Sequence, residues 1–570
     1  MKLTLNLRLL LILLAVLVTF TSCTVGEKPD QDTGSETASE TAAATEESTT
    51  EAETESELSD YRASISRSRS ELEEMLTLQD SEFEEAHQKL KAFEELAVVS
   101  SDYDAVDAVY MEFEDLFFHI DTQVSIASLI YNMDTTDEAA SSRYLDSYAL
   151  YGDLYNAYIE SCKNVYNSTP IRDELFADWT EEDIEELFAY DPQTQELREL
   201  NEALLVELNA LSDEEFYDRS AEIYAELVQN NNKIAKLSGY DNYYLYASEK
   251  IYGRDYGVED IDLFAKYVML YFLPNEPTLL ENWQSKYTKF SQARAQIMYN
   301  YLFEPFDTLQ ENYVENYINS FEGSMYDGLS HMFANRNVVF ASSANSHPSA
   351  FQTYLREIET PFCLFGINGQ STTTLIHEMG HYYAALYNED VYSFDLAETQ
   401  SQANEMLFLA YVKKDLASDI YAAVRGYTLY NFVIQSIVCV LIDEFEREVY
   451  ALESVEGYTS EDFDAIMEKV CSKYVSVEYL NQNIVDINQY WRLTATNSAV
   501  YYISYAVSMT EALCIFSAVE EDSEAGRELY RMLIEEIDEN DGFLEAVNKI
   551  GLASPFEGET FEDIVAALLK

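Results

Sequence analysis

Thr374-Leu-Ile-His377-Glu378-Met-Gly-His381-Tyr-Tyr-Ala-Ala-Leu386 is the stretch from which the remainder of the chain can be read. It is apolar at helical spacing and holds no proline, so it predicts a helix. Residues four apart on a helix share a face, which puts the His377 and His381 imidazoles where both can hold one metal ion. Glu378, between them, can reach a water bound to that ion. Two imidazoles and a neighbouring carboxylate are the parts that metal-assisted hydrolysis needs. Only six histidines occur in the chain. Chance therefore produces such a pattern in roughly one sequence per hundred of this length and composition. The plain alternative is a surface helix that happens to carry two histidines, and a third ligand decides between the two.

Upstream, Asn337-Val-Val-Phe-Ala-Ser342 and Pro361-Phe-Cys-Leu-Phe-Gly-Ile-Asn-Gly369 predict strands. Ser371, Thr372 and Thr373 are good N-caps for the histidine helix. A strand leading into that helix could present its edge to an extended peptide, or it could be a short buried strand with no ligand role. Downstream, the helix is expected to end near Asn388, and a second to start around Asp395. That second helix reads Leu396-Ala-Glu398-Thr-Gln-Ser-Gln-Ala-Asn-Glu405. A carboxylate there completes three protein ligands and leaves a fourth position for water; Glu398 is the choice. Glu405 lies on the same face two turns later. It either accepts the second ring N–H of a ligating histidine or is a solvated surface residue. His331 and His347 precede the motif and read as ordinary, with no ligand role.

The 570 residues exceed one ordinary domain. Glycine (17) and proline (9) are scarce and the hydrophobic share is 47%, which favours long helices over a turn-rich β fold. Helices are expected from Tyr61 to about Val99, Asp104 to Met133, Ser142 to Tyr166, Gln193 to Leu211 and Asp213 to Leu237. A formal charge of −71 makes nucleic-acid binding through a basic surface improbable. Residues 1–23 resemble a bacterial lipoprotein signal. Lys2 and Arg8 precede an apolar Leu9–Val18, and Phe20-Thr-Ser-Cys23 offers a cysteine for lipidation. The alternative is a simple secretory signal with an incidental cysteine. Either way export is expected, and a lipid on Cys23 would hold the protein at a membrane surface without spanning it. Residues 24–58 are Glu, Thr, Ser and Ala, the composition of a disordered acidic tether. Residues 59–237 form an N-terminal helical region, and a catalytic domain is placed at 238–570. Cys162, Cys363, Cys439, Cys471 and Cys514 show no metal spacing; one disulfide among them is possible.

The two motif helices, His377-Glu-Met-Gly-His381 and Ala397-Glu398-Thr-Gln-Ser-Gln-Ala-Asn-Glu405, resemble the oligoendopeptidase F and thimet oligopeptidase family of zinc peptidases. Further segments agree. Gly239-Tyr to Asp255-Tyr-Gly-Val-Glu-Asp-Ile resembles the family's entry into its peptidase lobe, and Pro361–Gly369 sits where the family has its active-site edge strand. Tyr501-Tyr502-Ile-Ser-Tyr505-Ala and the terminal Gly551-Leu-Ala-Ser-Pro-Phe are similar to family segments too. The resemblance implies a mainly α, two-lobed helical zincin with a small β-sheet beside the active-site helix and a deep substrate channel. It implies one Zn2+ per chain on His377, His381 and Glu398, with Glu378 as general base. It further implies that a tyrosine hydroxyl, Tyr505 first and Tyr502 second, stabilises the oxyanion; one such donor contributes on the order of 3 kcal/mol. The implied activity is cleavage of internal bonds in short unstructured peptides. One departure stands out. The family usually carries a histidine shortly before the tyrosine segment, whereas this chain reads Trp491-Arg-Leu-Thr-Ala-Thr-Asn-Ser-Ala-Val500. Arg492, Thr494 or Asn497 could substitute in part. Two rival readings follow: a surface lipoprotein that binds peptides without cleaving them, and a carboxypeptidase or dipeptidyl carboxypeptidase of the same architecture.

Overall fold

The computed structural model describes residues 63–570 except 178, 212, 304–307, 389–392 and 539–540. The signal at 1–23 with Cys23, the tether at 24–58 and the first residues of the helix expected at Tyr61 lie outside the described residues.

Two helices, α1 (Arg69–Met75) and α2 (Asp80–Ala97), stand where one was expected up to Val99. The break has a local cause. The Gln123 carboxamide oxygen accepts the N–H of Thr77 at 2.6 Å and of Leu78 at 3.1 Å, which holds the linking backbone out of the helix. Glu82 then accepts the Gln79 N–H at 2.7 Å and restarts it. Two long helices follow, α3 (Tyr103–Met133) and α4 (Glu138–Ser168), and pack through aromatic rings such as Phe113 on Tyr158, 5.7 Å apart. After two short helices, Arg172–Leu175 and Glu181–Ala189, come α5 (Pro192–Asn209) and α6 (Asp213–Leu237).

A three-stranded sheet of β1 (Val338–Phe340), β2 (Ala350–Leu355) and β3 (Thr360–Phe365) has the order β1-β3-β2. β1 runs parallel to β3 and β2 antiparallel. This corrects the expectation that the 361–369 segment supplies an edge: β3 is the central strand. The correction comes from β2, which sequence reading missed because Ala350-Phe-Gln-Thr-Tyr-Leu355 has no flanking turn signal of the usual Asn-Gly kind. The chain turns back instead through Arg356–Ile358 and a left-handed Glu359 at φ 46°. The outer edge of β1 is met by Arg67, whose N–H donates to Val338 O at 2.8 Å. Among the described residues no strand pairs with the outer edge of β2.

The sheet is a layer between two cores. Val338, Ala350, Cys363 and Phe365 point into the larger C-terminal core. Val339, Ala341, Phe351, Leu355, Phe362 and Leu364 point into the N-terminal helical core. Side chains alternate faces along a strand, so burial on both sides explains why β3 is apolar from Pro361 onward. α6 packs into the larger core through Ala221, Tyr224 and Val228, and the Tyr224 ring lies 5.5 Å from Trp491.

The helices that carry the site are α7 (Thr372–Ala385), α8 (Phe394–Tyr411), α9 (Ser418–Tyr450) and α10 (Tyr502–Glu521). α9 and α10 are long and apolar enough to cross a membrane, but 78% and 83% of their apolar windows are buried inside the protein. Cys162, Cys363, Cys439, Cys471 and Cys514 are all free thiols.

Candidate metal centre

α7 starts where the capping residues predicted, with Ser371 Oγ accepting the Thr374 N–H at 3.2 Å. It is buried along nearly its whole length. Its approach to α8 depends on Gly380, the residue before His381. A Cβ there would stand 2.6 Å from Ser401 Cα, far inside contact distance. The pairing is pinned by Asn404, which donates to Ile376 O at 2.7 Å and accepts from the Tyr317 hydroxyl at 2.6 Å.

That contact brings the ligand candidates together. His377, His381 and Glu398 are all buried and offer ligand atoms within 4.8 Å of one another, and they are the only such group of His, Cys, Asp and Glu among the described residues. Glu398 Oε2 lies 3.4 Å from His377 Nε2 and 3.6 Å from His381 Nε2. Two ligands at tetrahedral angles on one zinc, with bonds of about 2.1 Å, stand about 3.4 Å apart. The donor set and its spacing therefore fit Zn2+. The electrostatics agree. Burial alone would favour neutral forms at His377, but the Glu398 and Glu405 carboxylates raise its affinity for positive charge well above the ordinary imidazole range. Burial likewise opposes charge on Glu398, yet His381 and His377 hold it well below the usual carboxylate range.

Glu405 is not a solvated surface residue. Its Oε1 lies 2.8 Å from His377 Nδ1, which directs Nε2 toward Glu398 and His381. Glu378 is fully buried on the same helix. After burial, its charge is the second cause that pushes the Cys363 thiol well above its usual range. Cys363 faces Gln352 across the β3–β2 ladder. The Glu378 carboxylate is thus close enough to the central strand for its charge to act on Cys363.

Tyr502 and Tyr505 lie in the first turn of α10, both buried, with ring centroids 5.8 Å apart. Tyr501, which sequence reading left without a role, makes the contact with the ligands: its hydroxyl donates to Glu398 Oε1. Its ring centroid is 5.1 Å from that of Tyr505. The signal was present in the Tyr-Tyr pair, but spacing alone cannot say which hydroxyl faces a carboxylate on another helix. Arg492 does not stand in for a histidine beside the substrate. It is fully buried, bonded to Asp464 at 3.0 Å and laid against the rings of Tyr217 at 4.1 Å and Trp491 at 4.6 Å. The side chains of Thr494 and Asn497 lie outside the described residues. His331 bonds the Tyr382 hydroxyl at 2.7 Å, and burial lowers His347 to about 4; neither belongs to the ligand group.

A mainly helical body, a small sheet laid against a buried His-Glu-x-x-His helix, and a carboxylate from the next helix define a helical architecture of zincin type. Residues 306–535 match Peptidase family M3, a span that contains both motif helices and the tyrosine segment, and this match indicates a peptidase. No curated protein matches the chain in sequence. Solved structures resemble it in fold. A protein of Bacillus anthracis str. Ames assigned as oligoendopeptidase F superposes with TM-score 0.65 at 17% identity, over 85% of this chain and 95% of its own. PZ peptidase A with an inhibitor gives TM-score 0.66 at 17% identity, over 86% and 95%. Oligoendopeptidase-F from Enterococcus faecium gives 0.52 at 13%, over 86% and 96%.

Proposed function

We propose that this peptidase is a zinc-dependent oligoendopeptidase that cuts internal bonds of short unstructured peptides outside the cytoplasm, held at a membrane surface by a lipid on Cys23. The observation that carries the zinc reading is the buried cluster of His377, His381 and Glu398, with Glu378 one residue from the first ligand on the same helix. A bound zinc would supply Lewis acidity that lets water lose a proton near neutral pH and that polarises the scissile carbonyl. The chain's residues do the rest. Glu378 accepts the proton from the attacking water and delivers it to the leaving amine. Tyr505, with Tyr502 beside it, donates a hydrogen bond to the oxygen that gains charge only in the transition state.

Peptide seating is supported by β2. Ser349 O accepts the Gly366 N–H at 2.8 Å, which sets the alternation of the antiparallel ladder. Gln352 is then a residue whose backbone groups point away from β3. An extended peptide added at that edge would extend the sheet whose central strand lies near Glu378. Export and the anchor are supported by the Leu9–Val18 run and Phe20-Thr-Ser-Cys23.

The deciding experiment compares wild type with Glu378→Gln on internally quenched peptides. Wild type is expected to cleave and to stop when a chelator removes zinc. Glu378→Gln is expected to retain zinc and lose turnover by about a hundredfold to ten-thousandfold. Retained turnover in that variant would sink the assignment. A zinc-loaded wild type that protects peptides without cutting them favours the binding-only reading, which the missing histidine before Tyr501 motivates. Internal cleavage of C-terminally amidated peptides excludes the carboxypeptidase reading.

A further inference from the structure

The turn before α10 contains a residue in a conformation its type avoids. Val500 has φ 65°, in the left-handed region where a β-branched side chain crowds its own backbone. Such strain persists only where the surroundings over-determine it, and it gathers at functional positions. Here the surroundings are explicit. The Val500 N–H donates to the Glu446 carboxylate at 2.7 Å, and its carbonyl accepts from the Arg254 guanidinium at 2.7 Å. The preceding carbonyl, Ala499 O, accepts the Tyr252 hydroxyl at 2.6 Å. Arg254 also donates to Ser504 Oγ at 2.9 Å and lies 3.8 Å from Asp395, at the start of α8. Asp395 in turn accepts the Tyr256 hydroxyl at 2.6 Å. Arg254, Asp395 and Glu446 are all buried. One guanidinium therefore ties the Val500 turn to the first turn of the helix that carries Glu398.

The clamp has one product, the direction of Tyr501. Its ring is packed by Tyr252 at 5.6 Å, Phe394 at 6.0 Å and Tyr505 at 5.1 Å, and its hydroxyl donates to Glu398 Oε1. The two oxygens of Glu398 are thereby differentiated. Oε1 is engaged by the phenol, while Oε2 faces both imidazoles and takes a Ser401 hydroxyl at 3.2 Å.

We propose that Tyr501 is a positioning residue for the metal centre: held by the Val500 turn and Arg254, it fixes the Glu398 carboxylate so that Oε2 alone is offered to the ion. A one-oxygen contact leaves room for water at the fourth position, whereas a rotated carboxylate offering both oxygens would crowd it. It also divides the tyrosines. Tyr501 is committed to the ligand, so the donor to the developing oxyanion comes from Tyr505 or Tyr502.

This inference rests on the zinc reading, and the experiment separates the two. Purified wild type, Tyr501→Phe and Tyr505→Phe are stripped of metal and titrated with Zn2+ against a chromophoric chelator. Cobalt(II)-substituted samples are then compared by visible absorption. Phenylalanine keeps the ring and its packing, and far-ultraviolet circular dichroism of the apo forms checks the fold. Tyr501→Phe is expected to weaken zinc binding by about ten- to a hundredfold and to alter the cobalt spectrum, as loss of a group that orients a ligand does elsewhere. Tyr505→Phe is expected to match wild type in both readouts and to lose kcat. A wild type that binds no zinc overturns the zinc reading and this inference together. A wild type that binds zinc, with Tyr501→Phe matching it in affinity and cobalt spectrum, overturns the inference alone. Should Tyr501→Phe prove unstable, Ser504→Ala removes one Arg254 contact from the same turn and leaves the phenol. A smaller loss of zinc affinity is then the supporting result, and wild-type affinity with an unchanged cobalt spectrum the overturning one.

Discussion

Two glutamates show how the same residue type is put to opposite uses. Glu405 accepts from a histidine ring at 2.8 Å and belongs to a cluster that welcomes positive charge. Glu202 lies in the N-terminal helical region, and among the described residues no cation pairs with it. Its partner is the Tyr144 hydroxyl at 3.1 Å. Burial raises its pKa from 4.5 to about 7, and the tyrosine only partly offsets this. The folded state therefore binds the Glu202 proton more tightly than the unfolded chain does. The stability this lends is full below the unfolded value of 4.5 and is lost as pH rises through about 7. Glu202→Gln keeps a neutral side chain at every pH. It is expected to unfold at higher denaturant than wild type at about pH 8, by about 1–2 kcal/mol after solvent screening, and to differ little at about pH 5. Chemical denaturation at the two pH values checks this. Sequence left Glu405 between two readings and gave none for Glu202. One needs a partner 28 positions away and the other a tyrosine 58 positions away.

Among the elements, β2 changes the reading most. The segment expected to offer an edge proved central, because a short strand with no obvious turn folded back onto it. Among the described residues the edge that no strand covers accordingly belongs to β2, and Gln352 presents its N–H and carbonyl outward there. Gln352→Pro removes an outward N–H without breaking the ladder to β3. It is expected to raise KM by about three- to tenfold, to change kcat less, and to leave zinc content unaltered. Steady-state kinetics with metal analysis checks this, and an unchanged KM argues against peptide seating on this edge. By contrast, α7 and α8 were legible almost to the residue. Their apolar periodicity, the Ser371 cap and the Glu398 spacing are local properties. Even Gly380 could be noticed in sequence, although the reason for it, Ser401 Cα at 2.6 Å from a would-be Cβ, appears only when the helices meet.

At the scale of the whole molecule, the sheet joins two cores that sequence reading divided at Ser238. α6 precedes that point yet sends Ala221, Tyr224 and Val228 into the larger core. The six apolar side chains on the other face of the sheet, from Val339 to Leu364, pack against the N-terminal helices. Their burial is worth on the order of 10 kcal/mol, comparable with the whole stability of a typical domain. A chain beginning at Ser238 is therefore expected to aggregate, while one beginning at residue 63 stays soluble. Size-exclusion chromatography of the two distinguishes these outcomes, and a soluble, zinc-binding fragment from Ser238 onward would overturn the two-core account.

What this sequence determined by itself was whatever short-range order can encode. Helix is written in apolar spacing, and the two histidines and Glu378 share a helix because four residues make about one turn. Glu398 follows on the next such segment. The tertiary structure decided everything that depends on which surfaces meet: the central place of β3, the open edge on β2, the setting of Glu405 and the committed setting of Arg492. It also decided that Tyr501, rather than Tyr502 or Tyr505, bonds Glu398. The physical reason lies in Val500. Its left-handed backbone is unfavourable for its residue type and so invisible to local preference. It is held there by Arg254 and Glu446 from helices and turns remote in the chain.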